Sequence, residues 1–172
     1  VQEEDADVQK ISIVPRTSGA LGYTLQVEET DQVLISKEQA LSKITTYMAG
    51  RAAEELVFKR ITSGAADDIE QATKIARAMV TRYGMSDEFG MMALETINHP
   101  YLSDDTTTLV SPETATKVDK DVQAIIKQCY ERAMDILQEH EEQLHELADY
   151  LFEKETISGE EFVELFEKSK RA

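Results

Sequence analysis

From Ser36 to the C-terminus the apolar residues recur at helical spacing, and this periodicity constrains the fold more than any other property of the sequence. Ala40, Ile44, Met48, Ala52 and Leu56 fall on every fourth residue, which places them on one face of a helix. Ser36 and Gln39 make a capping-box pair ahead of them. Around Gly50 the side chains are small (Ala49, Ala52, Ala53), so this helix is thin and admits a close neighbour. A second helix is expected from about Asp67 to Gly84, with Gly84 at its C′ position. Its apolar face is Ile69, Ala72, Thr73, Ala76, Met79, Val80 and Tyr83. Residues 85–110 break the pattern with Gly90, Pro100 and a polar tract at 104–108, and read as a long loop. Ser111 and Pro112 open a third helix, Ser as cap and Pro at the first position. Its buried stripe is Ala115, Val118, Val122, Ile125, Cys129, Ala133 and Ile136. A fourth helix carries Leu144, Leu147, Ala148, Leu151 and Phe152. Ser158 and Glu161 cap a last helix, filled by Phe162, Leu165 and Phe166.

The first 35 residues follow a different period. Ile11 and Ile13 alternate with Ser12 and Val14 until Pro15 stops the run. Leu21, Tyr23, Leu25 and Val27 alternate with Gly22, Thr24, Gln26 and Glu28. Alternation of this kind marks half-buried strands, and residues 17–20 suit a turn between them. The expectation is a small hairpin, extended by residues 33–35. The class is therefore mostly α with a small N-terminal β-hairpin or sheet. Two segments are expected, a core at 1–110 and a helical subdomain at 111–172, forming one structural unit.

With 172 residues, 41% of them apolar, the chain can bury a core and is not of disordered composition. It carries 34 acidic residues against 18 basic ones. A net charge of -16 leaves no broad electropositive surface, so nucleic acid is excluded as an expected partner and an anionic membrane surface is disfavoured. No apolar run reaches the length of a membrane span. Cys129 is the single cysteine, so no internal disulfide forms. Metal chemistry has only His99, His140 and His145 to draw on for imidazole ligands.

Two stretches look like metal sites. His140 and His145 flank three glutamate or glutamine residues, but zinc-binding H-E-x-x-H helices space their imidazoles at i and i+4. At i and i+5 the rings point about 140° apart, and the segment reads as a solvated acidic helix face. Asp67 and Asp68 follow Thr62-Ser63-Gly64-Ala65-Ala66 at the start of a helix. Chemistry alone favours a capping role there, because carboxylates suit the free N–H groups and the dipole of an N-terminus. The alternative is a carboxylate metal ligand presented from a turn. The strand beginning at Leu21 and Gly22 offers backbone groups to an extended peptide if it lies at a sheet edge. Cys129 lies on an apolar stripe and reads as a packed small residue. No P-loop motif is present.

Six segments, in order along the chain, resemble one family. They are KISIVPR (10–16), ALGYT (20–24), AGRAAEELVF (49–58), ITSGAADDIEQAT (61–73), ARAMVTRYGMS (76–86) and EKETISGEEF (153–162). Together they resemble the protease domain of the FtsH-type ATP-dependent zinc metalloproteases. The resemblance implies a helical zinc endopeptidase acting on unfolded or misassembled polypeptides. It implies a homo-hexamer with an AAA+ ATPase module, anchored at the cytoplasmic side of a bacterial inner membrane. It maps the family's aspartate zinc ligand onto Asp68, and a substrate-holding edge strand onto Leu21, Gly22, Tyr23 and Thr24. The family's H-E-x-x-H helix falls before residue 10, and residues 1–9 contain no histidine. The chain is therefore expected to lack the two imidazoles, the catalytic glutamate and the ATPase module, and to be inactive by itself, with ATP acting only through that module. The competing expectation is a non-catalytic assembly or regulatory module of the same fold.

Overall fold

A computed structural model describes residue 2 and residues 8–14, 23–26, 34–97, 106–108 and 110–169. Their elements run β1 (Val8–Ser12), β2 (Tyr23–Gln26), α1 (Lys37–Phe58), a 3-10 turn (Ser63–Ala65), α2 (Ala66–Thr81), β3 (Glu95–Ile97) and β4 (Thr106–Thr108). They continue with α3 (Pro112–Glu139), α4 (Glu141–Lys154), β5 (Thr156–Ser158) and α5 (Gly159–Ser169). The class is mostly α with a small β component, as the periodicities predict.

Internal contacts divide the chain into two compact units. One holds residue 2 and residues 35–135; the other holds residues 1, 3–34 and 136–172. This division differs from a break at residue 110. Its origin is a pairing of strands from the two ends of the chain, described below.

In the unit of residues 35–135, α1 begins with the predicted capping box. Ser36 Oγ accepts from Gln39 N at 3.1 Å, and Ser36 N donates to Gln39 Oε1 at 2.9 Å. Ala40, Ile44, Met48, Ala52 and Leu56 are all buried, joined by Ser42 and Thr45. The helix ends where Lys59 turns left-handed, at φ 52°. α2 packs against α1, and its Ala72, Ala76, Ala78, Met79, Val80 and Thr81 are buried.

Two members of the predicted α2 face are exposed instead. Ile69 lines an open groove with Met48, Ile126 and Tyr130. Tyr83 lies beyond Thr81, where the helix has ended and helical phase no longer directs its side chain. Gly84 does adopt the left-handed conformation, φ 64°, but sits two residues past the cap Arg82.

α3 starts at Pro112, with Ser111 Oγ accepting from Thr114 N at 3.3 Å. Val118, Val122, Cys129 and Ala133 are buried. The Cys129 thiol is buried and donates to the Leu41 carbonyl at 3.6 Å, and burial pushes its pKa up, as suits a packed thiol. Polar contacts flank this stripe. Arg77 pairs with Asp119 at 2.8 Å, the Ser86 hydroxyl donates to Asp121 at 2.5 Å, and the Tyr130 hydroxyl donates to Glu55.

The stretch predicted as a long loop contains paired strands. β3 and β4 are antiparallel, with Glu95 opposite Thr108, Thr96 opposite Thr107 and Ile97 opposite Thr106. Three successive threonines read as a polar tract, yet their β-branched side chains favour an extended backbone.

In the other unit, β1 is the middle strand of a three-stranded antiparallel sheet ordered β2-β1-β5. The predicted pairing of the two N-terminal strands is present. The third strand is Thr156–Ser158, not residues 33–35. Leu34 and Ile35 are in no strand, and Val33 lies outside the described residues. Ile11 faces Ile157, which is almost fully buried.

The expected alternation of residues 11–14 stops where β1 ends, at Ser12, and Ile13 and Val14 beyond it are both exposed. Ser12 is 4% exposed, while Ile13 is 41% exposed. Ser12 tolerates burial because its hydroxyl shares a 2.9 Å hydrogen bond with that of Thr156 and accepts from Val14 N at 3.3 Å. α4 and α5 pack against each other beside this sheet. Glu161 caps α5 by accepting from Ser158 N at 2.9 Å, while Ser158 Oγ accepts from Glu161 N at 3.2 Å.

Candidate metal-ligand site at Asp68

The small side chains of α1 have a specific consequence. A Cβ built on Gly50 would lie 3.6 Å from Asp68 Oδ2. The Asp68 carboxylate thus rests over the thin part of α1, and α2 carries it there in its first turn.

The turn that launches α2 is held by side chains of α1. Thr62 precedes the 3-10 turn in extended conformation, and its hydroxyl oxygen accepts from Gly64 N at 3.2 Å. The same hydroxyl donates to Glu54 Oε1 at 2.5 Å, and Thr62 N donates to Glu54 Oε2 at 3.1 Å. Arg51 reaches Glu54 Oε2 at 3.4 Å. The Thr62 hydroxyl, then its N–H, then the Arg51 and Arg60 charges outweigh desolvation and hold the Glu54 carboxyl below the usual range.

No capping hydrogen bond holds Asp68, although it lies in the first turn of α2, where the helix dipole favours a carboxylate. The N-cap position of α2 is Ala65, with no side-chain cap hydrogen bond. Among the described residues, the Asp68 carboxylate has no hydrogen-bond or ion-pair partner. Burial, and next the charge of Asp67, push its pKa up. An unpaired, partly desolvated carboxylate beside a like charge is in an environment that a cation would relieve. A hard oxygen donor of this kind suits zinc as one ligand.

One ligand is not a site. Among the described residues no group of three His, Cys, Asp or Glu side chains is placed to hold a metal. His140 lies at the break between α3 and α4 with its ring 5.2 Å from that of Phe166, rather than on a solvated helix face. His145 Nε2 is 3.9 Å from Glu141 in the first turn of α4. His99 is outside the described residues.

Tyr23 and Thr24 lie on β2, which is an edge strand among the described residues; they are paired with Ser12 and Ile11 of β1. Leu21 and Gly22 are outside the described residues. Asp68 and β2 belong to different units.

Sequence reasoning missed Glu54, Thr62 and Arg51 as a group. A threonine before Ser-Gly is a local signal for a side chain bonding its own turn. Nothing local identifies the glutamate eight residues earlier as its second partner.

A family model described as peptidase family M41 matches residues 1–165. The chain is 49% identical over 168 residues to the ATP-dependent zinc metalloprotease FtsH of Lancefieldella parvula, covering 98% of this chain and 26% of that protein. It is 49% identical to the protein of that name from Clostridium perfringens, covering 92% and 22%, and 47% identical to that from Thermotoga maritima, covering 90% and 26%. The chain thus spans about a quarter of the length of these relatives.

Proposed function

The chain belongs to peptidase family M41, and on that premise we propose that it is the peptidase segment of an ATP-dependent zinc metalloprotease degrading unfolded or misassembled polypeptides. The observation that carries this is the Asp68 carboxylate, partly buried over Gly50 and without a partner among the described residues. Asp68 acts as one zinc ligand through a carboxylate oxygen. The other ligands come from outside the described residues, since these hold no three-ligand group. The bound metal supplies a polarised scissile carbonyl and an activated water.

This chain's own contributions are two. The first turn of α2 presents Asp68 toward the metal. The edge strand of Leu21, Gly22, Tyr23 and Thr24 holds the substrate backbone extended by strand addition. Main-chain pairing reads little of the substrate's sequence, which suits a degrader of unfolded chains.

Assembly as a homo-hexamer, an AAA+ module using ATP, and anchorage at the cytoplasmic side of a bacterial inner membrane are parts of the same proposal. No helix among the described residues is long and apolar enough to cross a membrane, so any anchor lies elsewhere in the protein.

The test is Asp68→Asn in the full-length protein. Zinc affinity is expected to fall by at least ~100-fold, beyond the usual cost of losing a ligand's supporting contact. Casein cleavage should be lost with it, while the circular dichroism spectrum is retained. Stoichiometric zinc together with unchanged cleavage would remove Asp68 from the site.

A further inference from the structure

We propose that Glu54 is a positioning residue for the Asp68 carboxylate, acting through Thr62: it clamps the turn from which α2 projects Asp68. The inference rests on the assignment of Asp68 as a zinc ligand. Both oxygens of Glu54 are engaged, one by the Thr62 hydroxyl at 2.5 Å and the other by the Thr62 N–H at 3.1 Å. Arg51 adds a contact to the second oxygen and is itself largely buried, its side chain 14% exposed. A carboxylate held by three donors from two directions has little freedom to turn.

The clamp matters because the turn has few other ties. Among the described residues, these two bonds to Glu54 are the side-chain hydrogen bonds linking residues 59–65 to α1. Thr62 also accepts from Gly64 N, which fixes the 3-10 turn to the clamped hydroxyl. Ala65 is buried and Ala66 is already helical, at φ -61° and ψ -45°, so the 3-10 turn, with Gly64 inside it, runs directly into α2. Asp68 follows in the first turn of α2. A shift at Thr62 therefore reaches the carboxylate through one 3-10 turn and the first turn of α2. Ligand geometry is demanding at the scale of such shifts, and contacts that orient a ligand typically change metal affinity by 10–100-fold.

Three variants of the full-length protein separate positioning from general stability. Thr62→Val keeps shape and removes the hydroxyl; Thr62→Ser keeps the hydroxyl and serves as the conservative rescue. Glu54→Gln leaves one acceptor, and is the milder variant should Thr62→Val fold poorly. Zinc affinity by chelator competition is expected to fall about tenfold in Thr62→Val and Glu54→Gln and to stay within twofold of the parent in Thr62→Ser. The cobalt-substituted protein should show altered d–d bands in the first two only. In the metal-free protein, amide exchange at Gly64 should quicken while the α1 amides keep their protection.

Parent-like zinc affinity and cobalt spectra in Glu54→Gln and Thr62→Val would overturn the proposal, as would equal loss in Thr62→Ser. Asp68→Asn, measured alongside, separates the two ideas. If it weakens zinc binding and the clamp variants do not, the clamp fails alone. If it leaves zinc binding intact, the ligand assignment fails, and positioning of that ligand fails with it.

Discussion

Two glycines on helices show how far a single hydrogen atom can decide packing. At Gly50 an added methyl would make only ordinary contact, 3.6 Å from Asp68 Oδ2. At Gly159 the same methyl would come within 1.8 Å of the Val8 carbonyl oxygen and 2.9 Å of its carbon. Both atoms are backbone, so no side chain can turn aside. Gly159→Ala should therefore destabilise the protein by roughly 2 kcal/mol or more, despite the better helix propensity of alanine. A urea melt followed by circular dichroism measures this; a midpoint equal to the parent's would mean that β1 moves away without cost. Ser12 makes a related point. Its side chain is polar and was expected to face outward, but a hydroxyl partner on Thr156 makes the buried position tolerable.

Elements differ in how local their causes are. α1 was readable residue by residue: the cap, the five apolar positions at fourfold spacing and the thin middle are all written within 23 consecutive residues. α2 was readable in its middle and not at its ends, where Ile69 and Tyr83 are exposed. Periodicity predicts a face only while the helix continues and something lies against it. β5 was not readable at all. Three residues, Thr156–Ser158, precede a helix and look like its lead-in, yet they pair with β1 about 145 residues earlier in the chain. That pairing buries Ile157 opposite Ile11. Ile157→Ala should cost about 2–5 kcal/mol, and the amides of β1 should lose hydrogen-exchange protection along with it. Protection in β1 that survives the substitution would show that the β1–β2 pair stands without β5.

Across the whole chain, the contact-defined units redistribute the charge. Divided at residue 100, the sequence carries net -6 before and -10 after. Divided by contacts, the unit of residues 1, 3–34 and 136–172 holds 18 acidic and 6 basic residues, and the other holds 16 and 12. The acidic excess belongs chiefly to the unit that does not contain Asp68. The metal prediction follows at the same scale. With one candidate ligand and no three-ligand group among the described residues, the 172-residue chain alone should take up far less than one zinc per molecule. Atomic absorption on the chain after dialysis checks this. Stoichiometric zinc would mean that the chain assembles a site from residues other than Asp68 alone.

The sequence by itself determined the helices, the N-terminal caps of α1, α3 and α5, the mostly α class and the family, because each rests on residues close together in the chain or on segments matched in order. Only the tertiary structure decided which strand completes the sheet, that Ser12 and not Ile13 turns inward, that Glu54 grips Thr62, and that the Asp68 carboxylate lies over Gly50 without a partner among the described residues. These are meetings of residues distant in sequence. Their free energies come from desolvation and from donor–acceptor geometry, which exist only once the chain has brought the groups together.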